Sequence, residues 1–389
     1  MKWIRFNVPF LHEPQVPDDY SEHGTEKGAK MQNNNVTHPD VLRILSETKQ
    51  LPLDEALEWI DEHKNEFAIS TAIVDTDDGE KLSEYADRKP KFFVEKRSLN
   101  AIRHLNTLLN RANEMLEDGG YLWCHCRTAA LKRWTIMNRY PWGINYLFYV
   151  CHFLWHRVMP KLNMAKSLYF WVTKGRNRTY NRVEVLGRMY RAGFEVVDEE
   201  FRNGEFFVLA RKVKAPIWDD VPSGSLLIKL KRVGKNGKII NVYKFRTMYS
   251  YSEYLQPYIY EHNHLQRGGK FADDYRVTSW GRFMRKYWID ELPMLANVLK
   301  GDLKLVGVRP LSEHFFSLYK PEIQSIRIKA KPGLLPPGIA EKKRLITLDE
   351  IQESERIYTE LYLENPIKID IYYFCRIVFN IFFKGRRSA

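Results

Sequence analysis

The residues from Ala215 to Gly224 run Ala-Pro-Ile-Trp-Asp-Asp-Val-Pro-Ser-Gly, and neither a helical nor a strand period passes through them. Prolines remove backbone donors and the closing Ser-Gly favours a turn, so the stretch reads as a linker. The chain has 389 residues, and a single core usually stops growing at ~250–300. A break here therefore divides an α/β protein into two domains, residues 41–215 and residues 216–389. Residues 1–40 are polar and rich in turn formers such as Asn33-Asn34-Asn35, which predicts a flexible tail. An apolar share of 44% and a charged share of 28% exclude a wholly disordered or fibrous chain. Met1-Lys2-Trp3-Ile4-Arg5 opens no uninterrupted apolar run, so no signal peptide is expected.

In the first domain, Asp54, Ala56, Leu57 and Ile60 predict a short amphipathic helix, and Phe67 to Val74 a strand. Leu99, Ile102, Leu105, Leu108, Leu109, Ala112 and Leu116 recur at helical spacing up to Asp118-Gly119-Gly120, which stops the helix. Tyr121 to Cys126 is then a strand, and Val183 to Met189 a helix. Phe194 to Val197 and Phe206 to Ala210 are strands joined through an Asn203-Gly204 turn. This order resembles the late half of a class I methyltransferase sheet, over roughly residues 95–213. The glycine-rich loop that would hold the methionine-derived cofactor is missing upstream, so no methyl transfer is expected. Cys124-His125-Cys126 has the wrong spacing for a zinc site and fits buried strand residues better. Four scattered cysteines suit a reducing compartment.

Two segments are unusually apolar. Trp142 to Trp155 has 14 residues without a formal charge. As a helix it would be about 21 Å long, short of a ~30 Å hydrocarbon core. Ile367 to Phe383 mixes Ile, Tyr and Phe with a few charges and is followed by Lys384, Arg386 and Arg387. Each segment reads equally as a buried core helix or as a helix at an anionic membrane surface.

The charge is concentrated. Lys and Arg exceed Asp and Glu by 13 overall, and residues 224–310 carry 16 cations against 7 acids. An anionic partner follows: nucleic acid, anionic lipid or a phosphorylated substrate. Leu227–Arg232 and Ile239–Thr247 read as paired strands across Gly234-Lys235-Asn236-Gly237. Lys244 and Arg246 are two apart and would share a strand face, while Arg282 and Arg285 are one helical turn apart. Paired cations on two surfaces suit a diphosphate, although a solvated basic face would account for many of the lysines. Asp290-Glu291-Leu292-Pro293 then reads as the capped start of a helix ending at Gly301. The same adjacent carboxylates facing arginines could also supply a nucleophile and a metal ligand.

Taken in order, Tyr243-Lys244-Phe245-Arg246-Thr247-Met248, Gly281-Arg282 with Arg285, Asp290-Glu291-Leu292-Pro293, Asn297 to Asp302 and Val306-Gly307-Val308-Arg309-Pro310 resemble the bacterial sugar transferases. These are monotopic phosphoglycosyl transferases that start capsule, exopolysaccharide and O-antigen assembly. Lys331-Pro332-Gly333 and the acidic Glu353 to Glu364 stretch extend the resemblance over roughly residues 224–389. It implies transfer of a sugar phosphate from a nucleotide diphosphosugar to polyprenyl phosphate, with Mg2+ and release of a nucleoside monophosphate. It implies Asp290 as the nucleophile that forms a phosphosugar-aspartate, and Glu291 as the magnesium ligand. Lys244, Arg246, Arg282, Arg285 and Arg309 would hold phosphates. The sequence departs from the family pattern where Ala215–Gly224 is polar instead of a hydrophobic re-entrant helix. Val308 stands for a usual proline, and Leu334-Leu335-Pro336-Pro337 replaces the usual continuation.

The resulting expectation is an enzyme on the cytoplasmic face of the bacterial inner membrane, monotopic or peripheral, meeting an anionic membrane surface; a cytoplasmic location is the alternative. The rival function is a non-catalytic scaffold binding polysaccharide-assembly proteins, and the intact Asp290-Glu291 pair argues against it. No nucleic-acid partner is expected, because nucleic acid would explain the charge but neither the acidic pair nor the apolar segments.

Overall fold

The computed structural model describes residues 38–79, 82, 89–161, 163–218, 224–256, 258, 274–341, 343, 345 and 347–385. The tail expected over residues 1–40 falls outside these up to residue 37, as do Arg386, Arg387 and part of the linker. Two compact units result. The first takes the described chain up to Gly224 together with Tyr249–Tyr258, and the second takes Ser225–Met248 and the chain from Ile259 onward. The detour at Tyr249–Tyr258 has a steric basis. A Cβ on Gly187 would lie 2.3 Å from the Tyr251 carbonyl oxygen, so the helix bearing Gly187 accepts this segment only through a glycine.

The first unit contains α1 (Pro39–Thr48), α2 (Leu53–His63), β1 (Thr71–Val74), β2 (Phe92–Glu95), α3 (Leu105–Met115) and β3 (Tyr121–Cys126). There follow α4 (Ala129–Arg139), α5 (Ile144–Phe153), α6 (Asn163–Thr173), α7 (Arg182–Arg191), β4 (Phe194–Arg202) and β5 (Glu205–Lys212). The sheet has the order β1-β2-β3-β5-β4. β1, β2 and β3 are parallel, and β5 lies antiparallel between β3 and β4. Asn203 and Gly204 make the β4–β5 turn with φ of 48° and 75°. Alternate residues point to opposite faces, and Phe92, Val94, Tyr121, Trp123, Phe207 and Leu209 cluster with Val41, Ile44, Leu57 and Ile60 of α1 and α2.

Where one helix is expected from Ser98, the chain makes a short 3-10 turn over Leu99–Ala101, extends at Ile102, and enters α3 only at Leu105. Ile102 is fully buried, so apolar spacing is satisfied without a continuous helix. The strand expected from Phe67 is shorter, because Phe67 and Ile69 reach the core ahead of β1. Cys124 and Cys126 are free, buried residues of β3.

The Trp142–Trp155 segment forms α5 and the start of a π-helical turn. It is not a core helix: only Asn145 and Tyr149 of α5 are buried. Arg157, by contrast, is buried and paired with Glu184 at 3.3 Å.

The second unit opens with the antiparallel pair β6 (Leu227–Val233) and β7 (Ile239–Phe245), in register Leu227↔Phe245. Then come α8 (Ser279–Lys286), α9 (Met294–Leu299), β8 (Lys304–Val306), α10 (Glu313–Ser317), α11 (Pro321–Arg327) and β9 (Gly333–Leu335). The unit closes with α12 (Leu348–Glu364) and α13 (Pro366–Phe383). β8 and β9 pair in parallel. Ile240, Val242, Met294 and Leu303 form one core cluster, and Val306, Val308, Tyr358, Tyr373 and Ile377 another. Among the described residues no helix is long and apolar enough to cross a membrane.

Candidate active site

The β6–β7 hairpin turns on Asn236 (φ 56°) and Gly237 (φ 75°), which sets the register that presents Lys244. β7 is fastened to α9 by one fully buried side chain. Asn297 Nδ2 donates to the Asn241 carbonyl at 2.7 Å, and its Oδ1 accepts from the Tyr243 amide at 3.0 Å. This clamp sits immediately before Lys244 in the strand.

The acidic pair follows a backbone outlier. Trp288 has φ 56° and ψ 17°, left-handed values uncommon for a bulky residue. Such conformations cost about 1–3 kcal/mol and persist where the surroundings impose them. The chain then makes a 3-10 turn over Ile289–Glu291 before α9 starts behind Pro293. This corrects the expected capped helix: Asp290 makes no side-chain cap, and the turn and α9 are separate. Pro293 lacks an N–H, which suits a helix start and not the interior of a continuous helix.

Asp290 and Glu291 are both buried, each 9% exposed. Lys244 Nζ donates to Glu291 Oε1 at 2.5 Å, and Arg309 Nη2 donates to the same oxygen at 3.3 Å. Burial pushes the Asp290 carboxyl above its ordinary range; the Lys244 charge opposes this, Glu291 adds to it, and Arg285 again lowers it. Burial also lowers the affinity of Arg285 for its proton. Arg285 Nε donates to Thr247 Oγ1 at 2.9 Å. That contact depends on Gly281, since a Cβ there would meet the Thr247 carbonyl oxygen at 2.0 Å.

Lys244, Arg285, Arg309, Asp290 and Glu291 are thus joined by contacts or by mutual electrostatic influence. Arg246 lies one residue beyond β7 and donates Nε to the Ser225 carbonyl at 2.8 Å. Arg282 is exposed on α8 and donates to Ser279 Oγ at 3.5 Å.

Three further residues, Asn297, Arg327 and Glu355, support the site without a signal of their own in the sequence. Arg327 donates Nε to Glu355 Oε2 at 2.8 Å and Nη2 to Glu355 Oε1 at 3.2 Å. Its Nη2 also donates to the Arg309 carbonyl, fixing the backbone that carries Arg309 toward Glu291. Asn297 lay inside a motif, but only its burial among apolar residues reveals a clamp. The Arg327–Glu355 pair spans 28 residues and leaves no local signal.

Asp290 and Glu291 offer hard oxygens suited to Mg2+, which is commonly held by one or two carboxylates plus substrate phosphates. Among the described residues no group of three or more His, Cys, Asp or Glu could cage a metal. The donor set therefore fits a magnesium ion that arrives with a diphosphate and fails as a self-sufficient metal centre.

Residues 212–384 match the bacterial sugar transferase family, the region that holds this site. The chain is 38% identical over 151 residues to the galactosyl transferase CpsE of Streptococcus agalactiae, covering 38% of this chain and 33% of that protein. It is 34% identical over 134 residues to the undecaprenyl-phosphate galactose phosphotransferase of Salmonella typhimurium, covering 33% and 28% respectively. With the UDP-glucose:undecaprenyl-phosphate glucose-1-phosphate transferase of Escherichia coli it shares 31% identity over 183 residues, covering 46% and 34%. The chain thus spans about a third of the length of these relatives. The resemblance carried by the motifs between Tyr243 and Pro310 is the one found, and it leaves the chain before residue 212 unaddressed.

Proposed function

We propose that this protein is a phosphoglycosyl transferase that moves a sugar phosphate from a nucleotide diphosphosugar to polyprenyl phosphate, starting a capsule, exopolysaccharide or O-antigen chain. The observation that carries the reading is the buried Asp290-Glu291 pair with Lys244 and Arg309 converging on Glu291. In the first step an Asp290 carboxylate oxygen attacks the phosphorus bearing the sugar. The bond from that phosphorus to the bridging oxygen breaks, and the nucleoside monophosphate leaves with the electron pair. In the second step an oxygen of polyprenyl phosphate attacks the phosphosugar-aspartate, restoring the Asp290 carboxylate and giving a polyprenyl diphosphosugar. Splitting one displacement into two in this way is nucleophilic catalysis.

The side chains divide the work. Lys244 and Arg309 hold Glu291 and remain near enough to attract phosphate oxygens; Arg309 is 60% exposed and open to a ligand. Arg285 and Lys244 oppose the burial that would protonate Asp290. Arg246 and Arg282 are suited to the outer parts of the substrate. Glu291 would hold magnesium, which would supply charge neutralisation on the diphosphate.

Because polyprenyl phosphate stays in a bilayer, we take the enzyme to work at a membrane surface, on the cytoplasmic face of the inner membrane in this reading. α13 supports this reading: Ile367 is 75% exposed, Ile371 59%, and Phe382 and Phe383 77% each, while Tyr373 and Ile377 pack inward. The test is incubation with a panel of nucleotide diphosphosugars and polyprenyl phosphate in detergent, scored for nucleoside monophosphate. Release that requires a sugar nucleotide and disappears in Asp290→Asn supports the proposal; equal release by that variant contradicts it.

A further inference from the structure

Between Asp118 and Glu184 the sequence contains no Asp or Glu, yet it carries eleven Lys and Arg. Within this span lie α4, α5 and α6 of the first unit, with Lys132, Arg133 and Arg139 on α4 and Lys166 on α6. Its inner side is anchored by specific contacts. Asn145 Nδ2 donates to the Met137 carbonyl at 3.2 Å, the Arg133 guanidinium lies 5.7 Å from the Tyr149 ring centre, and buried Tyr169 meets His156 Nδ1 at 3.3 Å. Arg157 is consumed by its buried pair with Glu184, so it fixes the base of the assembly instead of reaching outward.

Large apolar side chains in and beside these helices are exposed. Trp142 is 84% exposed, Leu147 65% and Trp171 79%. Arg139, Lys166 and Lys174 are exposed along the same helices or at their ends. Large aliphatic and indole groups turned to water beside cations, in a stretch of sequence that carries no acid of its own, form the pattern of a helix lying in a membrane interface. Nucleic acid would use the cations but gain nothing from exposed Leu147. α5 has 10 residues, too short to span and suited to lying in the plane.

We infer that α5 and α6 form a membrane-docking element whose partner is an anionic phospholipid bilayer, with the aromatic and aliphatic side chains entering the interface and the cations meeting headgroups. This element belongs to the first unit and does not depend on the transferase reaction.

The experiment is co-sedimentation of the full chain with phosphatidylcholine vesicles made with and without phosphatidylglycerol. One variant combines Trp142→Ser with Leu147→Ser; the other combines Arg139→Gln with Lys166→Gln. Near an anionic surface each cation contributes on the order of 1 kcal/mol, so the charge variant should bind phosphatidylglycerol vesicles about tenfold or more weakly. The apolar variant should lose a similar factor. A loss of about fivefold or more in both supports the inference, and a smaller loss in either overturns it. Displacement of the protein from vesicles by duplex DNA, with the apolar variant bound to DNA like wild type, would also overturn it. Because the altered residues are exposed and remote in sequence from Asp290, nucleoside monophosphate release in detergent should be unchanged, which separates a failed docking surface from a failed reaction assignment.

Discussion

Glu355→Leu tests whether the acidic α12 supports the site from behind. Arg327 and Glu355 are 4% and 6% exposed and share two hydrogen bonds. Removing the carboxylate strands a buried guanidinium, and breaking such a pair by deleting one partner costs about 3–5 kcal/mol. At ~2–4 °C per kcal/mol for a unit of this size, the melting transition of the second unit should fall by about 6–20 °C. Arg327 also donates to the Arg309 carbonyl, so Arg309 should lose its placement against Glu291 and turnover should drop with stability. Replacing both partners, Arg327→Met with Glu355→Leu, removes the stranded charge and should recover most of the stability, because an apolar pair of similar volume is often neutral or better. Turnover should stay low in the double variant, since Arg327→Met removes the donor to the Arg309 carbonyl. Calorimetry and nucleoside monophosphate release measure the two effects. A loss below ~1 kcal/mol in Glu355→Leu, the level of a surface pair, would refute the reasoning, as would a double variant no more stable than the single.

Lys244 lowers the proton affinity of Asp290, so Lys244→Met should move the acid limb of the pH–rate profile to higher pH; an unmoved limb counts against Asp290 as the titrating group. Excess chelator should stop nucleoside monophosphate release, and Glu291→Gln should need more magnesium than wild type; full activity in chelator contradicts the metal assignment. In the first unit, burial pushes the Glu95 carboxyl from its ordinary value up to about 8. Its folded value is raised, so the stability it contributes is complete below its unfolded value and is lost as pH rises through about 8. Glu95→Gln should flatten that fall, worth at most about 5 kcal/mol, when melting is compared at acidic and alkaline pH; an equal fall in the variant would refute the assignment.

What was legible in the sequence was local. The β6–β7 hairpin, the Asn203-Gly204 turn and strands such as Tyr121–Cys126 announce themselves through turn chemistry and alternation, and the structure contains them. The motif order brought Lys244, Arg285, Asp290, Glu291 and Arg309 to one candidate site. Periodicity failed where two backbones satisfy the same apolar spacing, as at Ile102, buried without helix. It also failed at Asp290, where residue preferences suggest a cap but the left-handed Trp288 and Pro293 break the turn from α9. Two-residue spacing set Arg246 beside Lys244 on one strand face; β7 itself ends at Phe245, while the Arg246 amide still donates to the Leu226 carbonyl at 2.7 Å. Asn297 and the Arg327–Glu355 pair act across long sequence separations, where no local pattern records them. The exposure of Trp142 and Leu147 could not be read from composition, since buried and lipid-facing helices are built from the same residues.

The central claim is that Asp290 carries the phosphosugar between two displacements. Rapid acid quenching of the full chain with its nucleotide diphosphosugar and magnesium, in the absence of polyprenyl phosphate, followed by intact-protein and peptide mass spectrometry, addresses it most directly. The account predicts one added phosphosugar per chain, located on the peptide containing Asp290, absent from Asp290→Asn, and discharged when polyprenyl phosphate is added. Turnover without any added mass, or an adduct on another residue that survives in Asp290→Asn, would contradict it.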